Sequence, residues 1–422
     1  MENSIKLLHE YDDILHLYIE YYKRDNLRLS QSTFRRNYFE RILIILKSIL
    51  RNIFVKTEWK SISKVTNKKW LFSLTLNNYR ATQFLKEHYN DCVNVTIYNE
   101  FFKKGGNGIY ENFNTFNYYP LWNAYLWLTS YFKILLTAKG VNRKFYLKYP
   151  NLFFFAYVSS VISKRLIEDG KPRVIFFSND INMQSRSLNI EARKKNIPTV
   201  YIQHASISDY FPPLNFDLAL LEGEFSKNVY KVKNDTEVKL IGQPKFEQYK
   251  KNRKVVKSVK CIGVGFNTID DINVVHALVK FLKNNDFTVT VRPHPRESRK
   301  EFLSWDVDYF STIDESPFEF LNKIDLLIAA DTSLHLEATL MNIPSLYYNL
   351  NNNMQVDYYK YVENKVVDYA DEFEEILNQI DHLNNQDNSN IFNRAQYYCQ
   401  NTSDKFNSID ETVKAVNALL NK

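Results

Sequence analysis

Two apolar runs late in the chain constrain its fold more than any other feature. Residues 287–291 form a short β-branched run that stops at Arg292-Pro293-His294-Pro295, where two prolines end regular pairing. Residues 324–330 form a second run that stops at Asp331-Thr332-Ser333. Leu334, Leu336, Ala338, Leu340 and Met341 then mix with polar residues at the spacing of a short buried helix, and Ile343-Pro344 ends it. A strand that breaks into a loop and then a helix, twice in succession, predicts parallel strands in an α/β sheet. Ligands of open α/β sheets gather outside the carboxyl ends of the strands, which is where both loops fall. Thr332 and Ser333 are expected at a helix N-terminus, where unpaired N–H groups and the helix dipole suit a phosphate. Arg292 and His294, on the neighbouring strand end, would face the same anion. Ser and Thr cap helices in most proteins, so the functional reading rests on the two loops occurring together.

The same alternation runs back through much of the chain. Strands are expected at 70–76, 93–98, 173–177, 199–202, 216–221 and 238–241, with helices over 118–137, 149–167 and 181–196 between them. Glu168-Asp169-Gly170 reads as a helix stop, and Gly105-Gly106-Asn107-Gly108 as a loop. At 422 residues the chain exceeds what one core usually serves. The charged stretch 245–257 is the expected linker. The predicted fold is α/β: two Rossmann-like domains with parallel sheets facing across a cleft, preceded by an N-terminal helical extension. The boundaries are 1–60 for the helical basic segment, 61–245 and 258–390 for the two domains, and 391–422 for C-terminal helices that cross back to the first domain.

The net charge is +7, and residues 21–60 alone carry ten Lys/Arg against three Asp/Glu. That excess suits an anionic partner. The helical pattern over 37–54 fits either a core helix with a solvated basic face or a helix resting on anionic lipid. No nucleic-acid-binding motif accompanies it. The opening residues do not read as a signal peptide, and no run of 18 apolar residues occurs. Cys92, Cys261 and Cys399 have no ligand spacing and suggest reduced thiols. The expected location is the cytoplasm, with residues 21–60 as the route to the inner membrane face. No metal is expected, because Asp270-Asp271 begins a helix instead of forming an acidic pair at a strand end.

The pairing of Arg292-Pro293-His294-Pro295 with the later Asp331-Thr332-Ser333, Glu337-Ala338 and Ile343-Pro344 resembles the nucleotide-binding half of GT-B glycosyltransferases of bacterial surface polysaccharides. Those of the polysialyltransferase and Kdo-transferase type carry an HP motif and a Ser/Thr-Ser motif. Teichoic-acid CDP-glycerol phosphotransferases carry a similar pair. The resemblance extends from about residue 173 to the C-terminus. Gln203-His204-Ala205 is similar to the acceptor-side loop of the same group, with Ala205 where a glycine usually stands. The resemblance implies transfer of a sugar from a nucleotide-activated donor, CMP- or UDP-linked, to a glycan or lipid-linked acceptor in capsule or lipopolysaccharide synthesis, with no other cofactor. Arg292, His294, Thr332, Ser333 and the N–H groups near Asn267 and Thr268 would hold the donor phosphate, and Glu337 a ribose hydroxyl. The base would come from the facing domain, with His204, Asp180 and Asp209 as candidates. Glycerophosphate transfer from CDP-glycerol, nucleotide-sugar 2-epimerisation and a non-catalytic glycan- or lipid-binding scaffold are the alternatives.

Overall fold

The computed structural model describes residues 2–24, 36–54, 59–96, 113–114, 124–233, 235–295, 297–351 and 357–421. The glycine cluster at 105–108 and part of the basic segment 21–60 lie outside them. Among the described residues two parallel sheets form, of seven and six strands.

The N-terminal part is helical: α1 (Glu2–Ile14), α2 (His16–Lys23) and α3 (Tyr38–Phe54). These helices pack into the first domain. Asp13 of α1 pairs with the buried Arg186, and Tyr11 packs on Phe153 at 4.6 Å. The first sheet takes the order β3-β2-β1-β4-β5-β6-β7, from β1 (Lys69–Phe72), β2 (Cys92–Thr96), β3 (Phe113–Asn114), β4 (Val174–Phe177), β5 (Thr199–Ile202), β6 (Leu218–Leu221) and β7 (Glu237–Leu240). Its helices are α4 (Leu76–Thr82), α5 (Leu85–His88), α6 (Ala124–Thr137), α7 (Gly140–Lys148), α8 (Pro150–Gly170), α9 (Met183–Lys194) and α10 (Glu224–Val229). Strands β4, β5 and β6 are buried at every position, as expected of a parallel sheet covered on both faces.

Glu168-Asp169-Gly170 ends the helix as expected: the triplet is the last turn of α8, three residues past the expected end, and Lys171 caps it in the left-handed region before β4. A Cβ at Gly170 would lie 2.3 Å from the Trp70 ring, so glycine is required there for packing.

The second sheet has the order β10-β9-β8-β11-β12-β13, from β8 (Cys261–Phe266), β9 (Thr288–Pro293), β10 (Tyr309–Phe310), β11 (Leu326–Ala329), β12 (Ser345–Tyr348) and β13 (Asp368–Ala370). It is flanked by α11 (Ile272–Asn284), α12 (Pro317–Leu321), α13 (Leu334–Leu340) and α14 (Phe373–Asn385). β9 continues through Pro293, two residues past the expected end. The reason is local. β10 pairs only with Thr290 and Val291, so beyond Val291 that side of β9 is open and the missing N–H of Pro293 costs no ladder bond.

The stretch expected as a linker is not a loose tether. Residues Pro244–Asn252 form a 3₁₀ helix whose Phe246 is fully buried. The chain then returns: Gln400 N–H donates to Glu222 O at 3.0 Å, and α15 (Ser408–Leu420) buries Val416 against the first sheet's other face. Gly223 permits the crossing, since a Cβ there would sit 2.5 Å from the Tyr398 carbonyl.

Candidate functional site

The carboxyl ends of the two sheets face each other, and two adjoining cavities lie between them. The first, of about 280 Å³, is bounded by Arg80 and Lys245 on one side and by Phe266, Phe318, Leu334 and Glu337 on the other. The second, of about 490 Å³, reaches deeper into the first domain, to Asp180, Tyr201 and Phe211. His204, Asn267, His294, Thr332 and Ser333 border both.

The strand-end loops of the second domain are tightly tied. At the end of β8, the Asn267 N–H donates to Asp270 Oδ2 at 2.7 Å, and Arg299 donates to the carbonyls of Asp270 and Asn267 at 2.7 and 3.0 Å. The Asn267 N–H, expected to face a phosphate, is thus already engaged within its own loop; Thr268 borders the second cavity. At the end of β9, the Arg292 guanidinium donates to Ser311 Oγ and, at 3.0 Å, to the Glu315 carbonyl, and it lies over the Phe320 ring. Burial pushes its pKa below the ordinary value. Arg292 therefore braces β9 against the residues before α12, and His294 is the exposed side chain of this strand end. Its N–H closes the ladder on Phe266 O at 2.9 Å, which fixes its backbone.

At the end of β11, Ser333 occupies the N-cap position of α13 with helical backbone angles and makes no side-chain capping bond. The Thr332 hydroxyl accepts from Leu334 N–H at 3.3 Å. The pair thus stands at the helix N-terminus as expected, and Ser333 borders both cavities. His335, the second residue of α13, is wholly buried between Ser345 Oγ and the Ala330 carbonyl, and burial pushes its pKa down to about 4. It serves to lock α13 against β11 and β12.

Glu337 is buried and paired with Lys245, Nζ to Oε1 at 2.5 Å. The Lys245 ammonium also donates to the His204 carbonyl at 3.2 Å. Burial alone would lower the Lys245 pKa, but the Glu337 and Glu222 charges outweigh it and hold it above the ordinary value. Glu222, fully buried at the end of β6, is pushed up to about 7 by burial.

In the first domain, His204 Nε2 lies 3.0 Å from the Asn78 amide nitrogen. One edge of the ring opens on the cavities, but the rest is enclosed. That enclosure and the Lys245 charge push its pKa down to about 3. Asp180 is buried beside the Tyr201 and Tyr230 hydroxyls, themselves 3.1 Å apart, and its Oδ2 has no hydrogen-bond partner. Burial pushes its carboxyl up to about 7. Asp209 does not join them. It is exposed, pairs with Arg24 at 2.7 Å and borders neither cavity, because the loop after β5 carries it to the α2 side.

Arg80 was not anticipated from the sequence. It projects from α4 into both cavities and donates across the cleft to Asp314 O at 3.3 Å. The available signal was Thr75, which caps α4 by accepting from Asn78 N–H straight after β1. That is the same strand–cap–helix pattern seen at the C-terminal loops.

No protein-family model matches the sequence, and no curated protein sequence matches it. Solved structures resemble the fold. UDP-GlcNAc 2-epimerase of Methanocaldococcus jannaschii, in complex with UDP-GlcNAc and UDP, matches with a TM-score of 0.52 at 12% identity, over 83% of this chain and 99% of that one. MnaA of S. aureus, in a co-structure with UDP, matches with a TM-score of 0.52 at 13% identity, over 84% and 97%. The wall teichoic acid polymerase TagF covers 91% and 98% at 11% identity, with a TM-score of 0.49. The likeness to the first two structures, at these identities, establishes the fold alone: two parallel α/β domains of the GT-B type.

Proposed function

We propose that this protein transfers a sugar from a nucleotide-activated donor to a hydroxyl of a second, separately bound glycan or lipid-linked acceptor. The observation that carries the reading is the paired cavity. One compartment has an apolar wall of Phe318 and Leu334 beside Arg80 and Lys245, the chemistry of a nucleotide and its phosphates. The other is larger, holds Asp180 and His204, and meets the first at His294 and Ser333.

In this reading His294 and the Thr332-Ser333 turn receive the phosphate where charge grows as the glycosyl bond breaks. Asp180 is the better base of the two that border the site. Its pKa of about 7 suits proton exchange near neutrality, whereas His204, at about 3, stays a neutral, weakly basic ring that orients the acceptor.

Thermal-shift screening with CMP, CDP, UDP and GDP identifies the donor base, since a ligand that binds the native state raises the melting temperature. Incubating the sugar-linked form of that nucleotide with glycan acceptors then tests transfer. A sugar inverted at C2 without acceptor would establish epimerisation instead. Consumption of CDP-glycerol would establish glycerophosphate transfer. No nucleotide binding at all would overturn the reading.

A further inference from the structure

The basic excess at 21–60 pointed to a membrane contact through that segment, but the structure assigns Arg41 elsewhere. Its guanidinium is buried 4.4 Å over the Tyr149 ring, within reach of Asn151. The exposed apolar surface of the first domain lies mainly on other helices. On α6, Leu128, Phe132 and Leu136 are spaced four residues apart, so they form one stripe. Phe132 is 59% exposed and Leu136 82%. The opposite stripe, Trp127, Tyr131 and Ile134, is buried in the core. Val141 and Leu147 are exposed on α7, and Phe39, Leu46 and Leu50 on α3. All three helices pack on α8, α6 packs on α7, and the Arg41 guanidinium of α3 covers the Tyr149 ring just after α7.

The charge on this layer is one-sided. Residues 124–148 contain Lys133, Lys139, Arg143, Lys144 and Lys148 and no Asp or Glu, and all five cations are exposed. Exposed apolar side chains sharing two helices with exposed Lys and Arg match the interfacial zone of an anionic bilayer: the aliphatic and aromatic groups enter the acyl boundary and the cations meet the head groups. A second copy of the chain is a poorer occupant, because a two-fold interface would set the five cations against themselves.

We infer that the α6–α7 face, flanked by the outer stripe of α3, docks this protein onto an anionic phospholipid surface, with Phe132 and Leu136 as the inserting residues. The inference stands apart from the reaction proposed above, since vesicle binding is measured without substrate.

The test is co-sedimentation of the full chain with vesicles of phosphatidylcholine alone or mixed with phosphatidylglycerol. Binding is expected only to the mixed vesicles and should weaken as salt is raised. The double variant Phe132→Ser/Leu136→Ser should lose at least tenfold in partitioning, with its melting temperature preserved because both side chains are exposed. Lys133→Glu/Lys144→Glu should shift binding to lower salt. Equal binding to both vesicle types, or undiminished binding by the Phe132/Leu136 variant, overturns the inference. So does a wild-type dimer, seen by analytical ultracentrifugation, that the serine variant abolishes while vesicle binding persists.

Discussion

The Lys245 ammonium lies 2.5 Å from the Glu337 carboxylate, joining the segment between the domains to the first turn of α13. Both side chains are largely withdrawn from water, with 20% and 4% of their surfaces exposed. Removing one partner leaves a charge without its counterion. Lys245→Met or Glu337→Gln should therefore cost about 3–5 kcal/mol, and the double variant should recover much of that loss. Urea unfolding of the three variants measures the coupling; additive losses would mean that the pair contributes nothing.

Asp180 should make both stability and rate depend on pH near 7. Its folded pKa, about 7, lies above the ordinary 3.8. Between those values the native state holds a proton that the unfolded chain has released, so this group's contribution to stability falls as pH rises through the window. Asp180→Asn removes that loss, and the variant's melting temperature relative to wild type should rise between about pH 4 and pH 7 and level off above. If Asp180 is the base, wild-type turnover rises with pH through about 7, and the variant lacks that limb. A pH-independent difference in melting, with turnover unchanged, would place the titration elsewhere.

His294→Ala should lower turnover more than nucleotide affinity, because a contact to a phosphate strengthens as its charge develops. Its side chain is exposed, so the melting temperature should scarcely change. Ser333→Ala leaves the backbone donors in place and should cost about 1–2 kcal/mol. Calorimetric nucleotide binding together with single-turnover rates on each variant separates the two effects. A His294→Ala enzyme with wild-type kinetics would reduce the loop to a turn.

Arg80→Gln should weaken nucleotide binding by about 1.5–3 kcal/mol, the range for hydrogen bonds to charged groups. Its one cross-cleft bond, to the Asp314 carbonyl, is partly exposed, so unfolding should shift by no more than about 0.5 kcal/mol. Isothermal titration with the nucleotide that gives the largest thermal shift decides this; unaltered affinity would place the phosphates beyond reach of α4.

The parallel α/β architecture was written in the sequence, because local rules suffice for it. An apolar run such as 199–202, bounded by Pro198 and by Gln203-His204, has one good solution, a strand buried on both faces, and the structure has β5 at Thr199–Ile202. The same rules placed His294, Thr332 and Ser333 at strand ends, and those ends do meet at the cleft. Tertiary structure alone decided which polar groups remain available there. Arg292 and the Asn267 N–H look like anion ligands in sequence, but Ser311 and Glu315, about twenty residues on, brace the Arg292 guanidinium, and Asp270 in the same loop takes the Asn267 N–H. Asp209 and Asp180 both follow sheet strands, yet one is carried to the surface beside Arg24 and the other is buried beside Tyr201 and Tyr230 at the wall of the larger cavity. Arg80 and Lys245 border the first cavity because α4 and the 3₁₀ segment fold against the second domain, and the exposed stripe of α6 exists because α1, α7 and α8 cover its other side. Periodicity reports which residues are buried in one element; which partners meet them, and which charges stay unmet, depends on contacts between elements far apart in the chain.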